Sequence, residues 1–351
     1  MEFKIGNKNT KNNILIIAEI SGNHDGKYEE AEKLVRAACE AGADAVKLQM
    51  YTPDTMTINS NNKYFQVEVN DAWKGRNLYD LYKIAHTPWE WQPKLERVAA
   101  EYEVPLFSTA FDTTAVDYLE KNMNVPIHKI SSFENGDLEL LKKVAQSHKP
   151  VLLSRGMTSL EDLELAYKTL KDNGCPSVAI LHCVSAYPAN PEDMNLSTIQ
   201  DLKKRFPDAI IGLSDHTLTT ETGIASAVLG ARIIEKHFCL NRKDETVDSG
   251  FSLEPAEFKE LIKQVRNIEK AIGMPKYSVG EKESENLVFK RSLFIVKNVR
   301  AGEEFTRENI RCIRPGYGLK PKFLNQVLGK KSKIDLEVGT PLNWEMVKNA
   351  I

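Results

Sequence analysis

"AIIGLSD" (209–215) and "RIIEKHF" (232–238) decide the fold. Each is a short apolar run that ends beside a histidine: "SDHT" closes the first at 214–217, and "EKHF" closes the second at 235–238. Runs this short, β-branched and ended by polar residues, read as strands with polar C-terminal ends. Six more precede them: "ILIIAEI" (14–20), "DAVKLQM" (44–50), "VPLFST" (104–109), "IHKISS" (127–132), "PVLLSRG" (150–156) and "VAILHC" (178–183). Amphipathic helices lie between. Tyr28–Ala41 puts Ala31, Leu34, Val35 and Ala38 at helical spacing, and residues 160–173 stop before Gly174, as a helix should. Eight strand–helix units in succession predict an α/β fold, a closed (β/α)8 TIM barrel, ahead of an open doubly wound sheet.

The units divide the chain into a barrel over 1–275, a polar linker over 276–289 and a compact β-rich domain over 290–351. The linker follows from "YSVGEKESEN", and the last domain from short apolar runs broken by "AGE" and "EVGT" turns. One gap between strands, 51–87, is longer than the rest. With "NLYDLYKIAHTPWEW" it forms an aromatic-rich insertion at the top of the barrel, where it shapes a substrate pocket; Trp89 and Trp91 read equally well as plain packing.

The 351 residues carry a net charge of −2, which speaks against nucleic acid or a membrane surface as the main partner. From Lys290 onward there are 13 Lys+Arg against 6 Asp+Glu, a net +7, leaving 34 against 43, a net −9, for the rest. A basic tail on an acidic body serves an anion site or another subunit, or is solvated charge that merely segregates. Five scattered cysteines without a CxxC pair fit a reducing cytoplasm. The opening residues lack the apolar core of a signal peptide, and no apolar run approaches the roughly 20 residues of a membrane span.

Active sites of such barrels sit at the C-terminal strand ends. Every predicted strand carries polar residues there: Glu19 with Ser21, Asn23 and His24; Lys47 and Gln49; Ser108 and Thr109; Lys129, Ser132 and Glu134; Ser154; His182, Ser185 and Tyr187; Ser214 and His216; Glu235 and His237. A lone strand-end Ser or Lys is more often a solvated terminus than a catalyst, but polar groups at all eight ends exceed what stability alone needs. Strands seven and eight are neighbours about 4.8 Å apart, so His216 and His237 either bind one divalent metal or form a satisfied core pair. Two imidazoles completed by water and substrate oxygens suit Mn2+, with Mg2+ or Co2+ as substitutes. Lys47 and Lys129 with nearby hydroxyls make a cradle for a small phosphorylated acid, unless one lysine is a Schiff-base nucleophile of an aldolase or lyase.

The ordered motifs "IIAEISGNHDG", "EAGADAVKLQMYTPDTMT", "FSTAFD", "KISSFE", "HCVSAYPA", "GLSDHT" and "IEKHF" resemble the sialic acid synthase family. The tail, with "KRSLF" and "RPGYGL", resembles that family's antifreeze-like SAF domain, a β-clip. "LYDLYKIAHTPWEW" and "IRCIRPGYGLKPK" look most like the branch that makes pseudaminic acid, rather than N-acetylneuraminate or legionaminate. The resemblance implies condensation of phosphoenolpyruvate (PEP) with the aldehyde of an acetamido sugar, here 2,4-diacetamido-2,4,6-trideoxy-L-altrose, with release of phosphate. It implies that His216 and His237 hold the metal and that Lys47, Gln49, Thr109, Lys129, Ser132, Ser154, Ser185, Tyr187 and Ser214 bind substrate. Glu19, Glu134 and Asp248 then serve as acid, base or sugar contacts, and Arg314 reaches the sugar from the SAF domain of the partner in a domain-swapped homodimer. Three residues depart from the family pattern: Ala110, Arg155 and Val184. Arg155 either adds an anion contact or faces a helix. A rival from another class is a binding or ice-interacting protein whose barrel is a relic, and the complete set of strand-end groups argues against it.

Overall fold

The computed structural model describes residues 2–68 and 74–349, so part of the 51–87 insertion, residues 69–73, lies outside the described residues. Eight parallel strands among the described residues close into a barrel: β1 (Leu15–Glu19), β2 (Ala45–Met50), β3 (Leu106–Ala110), β4 (His128–Ile130), β5 (Val151–Arg155), β6 (Val178–Cys183), β7 (Ile210–Asp215) and β8 (Ile233–His237). β8 returns to pair with β1, Ile233 opposite Leu15 and His237 opposite Glu19. Each expected run overlaps one of these strands, most of them trimmed at the ends and β3 running one residue further, to Ala110.

Alternation along the strands sorts the side chains. Leu15, Ile17, Ala45, Phe107, Leu152, Ala179, Leu181 and Ile233 point inward and pack with Phe3 and Ile5, which belong to a small ribbon of Lys4–Ile5 with Lys8–Asn9. The intervening residues point outward. Ile16, Ala18, Val46 and Leu48 pack on Ala31, Leu34, Val35 and Ala38 of helix Tyr28–Ala41. Val151, Leu153, Ile180 and Leu213 do the same with helices on the far side. Each such side chain contributes about 1.5–3 kcal/mol on full burial. The inner column therefore runs from apolar at the closed end to polar at the C-terminal end, and that gradient makes a site.

Local signals fix the helices. Asp112, Asp137 and Ser159 cap theirs by accepting from backbone N–H groups of the first turn. Leu160–Asp172 ends at Asn173, followed by Gly174 at φ 102°, a left-handed turn that favours glycine.

Contacts divide the chain into two compact units between Gly273 and Met274. Residues 276–289 contain two short helical turns, Glu281–Ser284 and Glu285–Phe289, where the sequence suggests a plain linker. The second unit pairs β9 (Ser292–Ile295) with β10 (Ile310–Ile313), antiparallel, and adds single bridges such as Val299 with Leu336 and Ser332 with Val347. Its core is Leu293, Ile295, Val299, Phe305, Ile310, Val327, Leu336, Leu342 and Val347. Among the described residues, no helix is long and apolar enough to cross a membrane.

Candidate active site

A cavity of about 500 Å3 opens at the C-terminal ends of the barrel strands. Glu19, Lys47, Gln49, Thr109, Lys129, Ser132, Glu134, Ser154, Ser185, Tyr187, Ser214, His216, His237 and Asp248 all line it. Arg314 does not; it follows β10 in the second unit and is exposed. Parity explains the gathering, because Glu19, Lys47, Thr109, Lys129, Ser154, Ser214 and His237 continue the inward column of apolar residues below them.

Lys47 lies at the centre of the charges. Its Nζ is 2.8 Å from Glu19 Oε2 and 2.9 Å from Glu235 Oε1, with Thr109 Oγ1 at 3.4 Å. Lys129 Nζ donates to Ser154 Oγ at 2.8 Å and stands 3.6 Å from Glu235. Burial pushes the Lys129 amine down to about 8, with Glu235 opposing and Lys47 adding to the fall. The two carboxyls separate. Burial raises Glu19, which has mainly Lys47 to offset it, whereas Glu235 stays below the usual range because Lys129 and Lys47 together overcome its burial. The two carboxyls thus differ in proton affinity, Glu19 upward and Glu235 downward, a difference of the kind acid–base chemistry uses.

Around them, Gln49 Nε2 donates to Glu19 Oε1 and Ser21 Oγ, both at 3.1 Å. Asp248 accepts from Ser21 Oγ and from Gly22 N, and burial raises its carboxyl; Glu134 accepts from Ser131 Oγ and is raised likewise. Ser132 and Ser185 share a hydrogen bond of 2.8 Å.

The two histidine rings lie 5.4 Å apart, and the Tyr187 ring lies 4.3 Å from His216. His216 Nδ1 is 2.8 Å from the Val184 carbonyl, which can only accept, so Nδ1 carries a proton; burial pulls this ring down, but Cys183 and that carbonyl outweigh it and leave it above the usual imidazole range. His237 Nδ1 is buried with no hydrogen-bond partner, and burial together with His216 drives that ring well below the usual imidazole range. No cluster of three or more His, Cys, Asp or Glu among the described residues is arranged for a metal. Two adjacent imidazoles with no third protein ligand among the described residues would suit an ion that completes its shell with water and substrate better than a closed structural zinc site.

Not every polar strand-end residue reaches the cavity. Ser108, His182 and Arg155 sit in the outward phase: Ser108 Oγ bonds Gln92 at 2.5 Å, and His182 Nε2 meets the Met194 carbonyl at 2.6 Å. Arg155 stands opposite His182 in the outward phase and is not among the residues that line the cavity. Asn23 bonds Phe238 O, and His24 bonds Thr87 under Trp91, where burial lowers it to about 4. Trp89 and Trp91 are packing, against Tyr118 and Tyr28. The insertion shapes the cavity through Leu78, Leu81, Tyr82 and Ala85 instead.

Two strand-end residues outside the expected substrate and metal set, Glu235 and Ser21, also line the cavity, and Gly156 backs it. Glu235 shares the inward phase with His237, a parity the sequence already carries. Ser21 and Gly156 depend on loops meeting, which no local pattern encodes. A Cβ on Gly156 would lie 2.4 Å from Ser185 Oγ and 3.2 Å from Ser132 Cβ, so the bare backbone makes room for that hydroxyl pair.

A (β/α)8 barrel whose inner column ends in lysines, carboxyls, hydroxyls and a histidine pair is an enzyme scaffold for a small polar substrate. The NeuB family profile matches residues 34–277, and the SAF domain profile residues 290–348. The chain belongs to the NeuB family. It is 41% identical over 340 residues to a pseudaminic acid synthase of Campylobacter jejuni (strain 81-176), covering 97% of this chain and 98% of the relative. A pseudaminic acid synthase of Helicobacter pylori is 38% identical, with 96% and 98% covered. Among solved structures, an N-acetylneuraminic acid synthetase from Leptospira borgpetersenii in complex with citrate superposes with a TM-score of 0.72 at 31% identity, over 82% of this chain and 95% of that one.

Proposed function

We propose that the protein is a pseudaminic acid synthase, condensing PEP and water with 2,4-diacetamido-2,4,6-trideoxy-L-altrose to give pseudaminic acid and phosphate. The observation that carries it is the buried Glu19–Lys47–Glu235–Lys129 network at the mouth of a barrel alike, over nearly its whole length, to synthases of that name. Lys129, Lys47 and the hydroxyls of Thr109, Ser132, Ser154, Ser185 and Ser214 hold PEP as a charge-and-donor cradle. C3 of PEP then bonds the aldehyde carbon, whose oxygen takes a proton from a carboxyl whose proton affinity burial raises, Glu19 or Asp248. Water adds at C2 and gives up its proton to Glu235 or Glu134. Collapse of that tetrahedral centre breaks the C2–O bond and releases phosphate. Gln49 and Tyr187 orient the reactants.

His216 and His237 hold a divalent ion, Mn2+ with Mg2+ or Co2+ as substitutes, which polarises the aldehyde oxygen when bound. PEP with a heavy-oxygen label at its bridging position tests the bond broken: the label appears in the released phosphate, and unlabelled phosphate contradicts the scheme. Thorough chelation abolishes turnover and Mn2+ restores it; full activity in chelated enzyme contradicts the metal role.

The active species in this reading is a homodimer in the cytoplasm, with the partner's Arg314 serving each mouth. The +7 tail and −9 body support the dimer, and five free cysteines suit a reducing compartment. One observation favours a Schiff-base reading instead, the amine of Lys129 at about 8. Borohydride added during turnover separates the two, since only a Schiff base leaves a covalent protein–substrate adduct.

A further inference from the structure

Asp215 stands between Ser214 and His216, and Lys236 between Glu235 and His237. Parity turns both away from the cavity, and the reaction above makes no use of them. On the outer face Lys236 Nζ lies 2.9 Å from Asp215 Oδ2, with both side chains at 0% exposure, and the two residues are direct partners in the β7–β8 register.

A buried ion pair rarely adds net stability, because desolvation offsets the attraction; an apolar pair of similar volume packs as well. What sets this pair apart is where its remaining bonds go. Lys236 Nζ donates to the carbonyls of Thr217 at 2.5 Å and Thr219 at 2.9 Å, with Thr217 Oγ1 at 3.2 Å. Asp215 Oδ1 accepts from Thr217 N at 2.9 Å, and Oδ2 from Thr222 Oγ1 at 2.6 Å. Thr217 and Thr222 close the set through their own hydroxyl bond of 2.8 Å. All these bonds tie down the residues that follow His216. The backbone of His216 is thus fixed from both sides, by Asp215 before it and Thr217 after it. The other half of the clamp belongs to the strand that carries His237.

We infer that the Asp215–Lys236 pair is a positioning device for the histidine pair, holding His216 in register with His237 from the opposite face of the barrel wall. The inference rests on the two-histidine metal reading. Its signature is a separation of stability from metal affinity, because an uncharged replacement keeps the packing and loses the bonds that Lys236 Nζ gives to the loop.

The test uses the full-length protein and Mn2+ alone, titrated calorimetrically, with thermal melting alongside. Asp215→Asn with Lys236→Met removes both charges and strands neither; Thr222→Val removes one hydroxyl, with its bonds to Asp215 and Thr217, at nearly constant shape. The double variant melts near the wild type and binds Mn2+ roughly 10–100-fold more weakly, the usual cost of losing a partner behind the ligands. Its kcat at saturating Mn2+ and its KM for PEP stay close to wild type, a split that general loosening does not produce. Thr222→Val moves Mn2+ affinity the same way by less. Wild-type Mn2+ affinity in the double variant overturns the inference; if that variant does not fold, unchanged affinity in Thr222→Val overturns it. A wild type that binds no Mn2+ is a failure of the metal reading, and amide hydrogen exchange across 217–219 then decides the positioning role. Faster exchange in the variants supports it, and unchanged exchange overturns it.

Discussion

Lys129 carries a pH signature that follows from its burial. Its amine is held at about 8, so the cation that pairs with PEP fades well before the usual lysine range. Below that value Lys129 adds its charge to that of Lys47; above it the Lys129 share of the attraction is lost. kcat/KM for PEP, which reports the free enzyme, therefore falls along a limb near pH 8. Bound PEP adds negative charge beside the amine and raises it, so the limb in kcat lies at higher pH. A pH–rate profile for both parameters checks this, and coincident limbs contradict it. The role of Lys129 shows in the sequence as a strand-end lysine in the inward phase, but its low affinity for the proton does not. That comes from burial inside the closed barrel and from Lys47 on another strand, with Glu235 opposing.

At the scale of strands and loops, alternation does most of the sorting. It sends Lys47, Gln49 and Thr109 into the cavity, and Ser108, Arg155 and His182 out of it. A sequence read for strand ends alone groups these together, whereas the register separates them. Gly156 marks what alternation cannot show, since its loop closes against Ser185 from the next strand–helix unit. Gly156→Ala pushes the Ser185 hydroxyl off Ser132 and out of the cradle. A hydrogen bond to a charged group is worth about 1.5–3 kcal/mol, so the KM for PEP rises roughly 10–150-fold. Steady-state kinetics on the variant measure it, and an unchanged KM means that the hydroxyl pair does not hold PEP. The aromatic insertion teaches the same lesson. Its tryptophans pack against Tyr118 and Tyr28, and the cavity wall comes from Leu78, Leu81 and Tyr82, one helical turn or so apart.

For the whole molecule, the barrel was legible because each strand–helix unit repeats one pattern and closure follows from eight of them. The second unit was legible only as β-rich, since most of its pairings are single bridges with no run long enough to alternate. Its Arg314 is exposed, and the proposed dimer gives it a task. Mixing two inactive variants, His216→Ala and Arg314→Ala, creates heterodimers in which one barrel has both histidines and receives a good arginine from its neighbour. Activity returns if Arg314 acts in trans; absence of recovery in verified heterodimers means that it acts within its own chain or not at all. The apolar wall of Leu78, Leu81 and Tyr82 suits a sugar without a hydroxyl at its sixth carbon. One such contact discriminates by about 1–3 kcal/mol, roughly 10–200-fold. The most direct measurement is phosphate release from PEP with a panel of acetamido sugars. The account predicts that 2,4-diacetamido-2,4,6-trideoxy-L-altrose exceeds N-acetylmannosamine by at least about tenfold in kcat/KM, and equal rates, or no phosphate released with the altrose sugar, would contradict it.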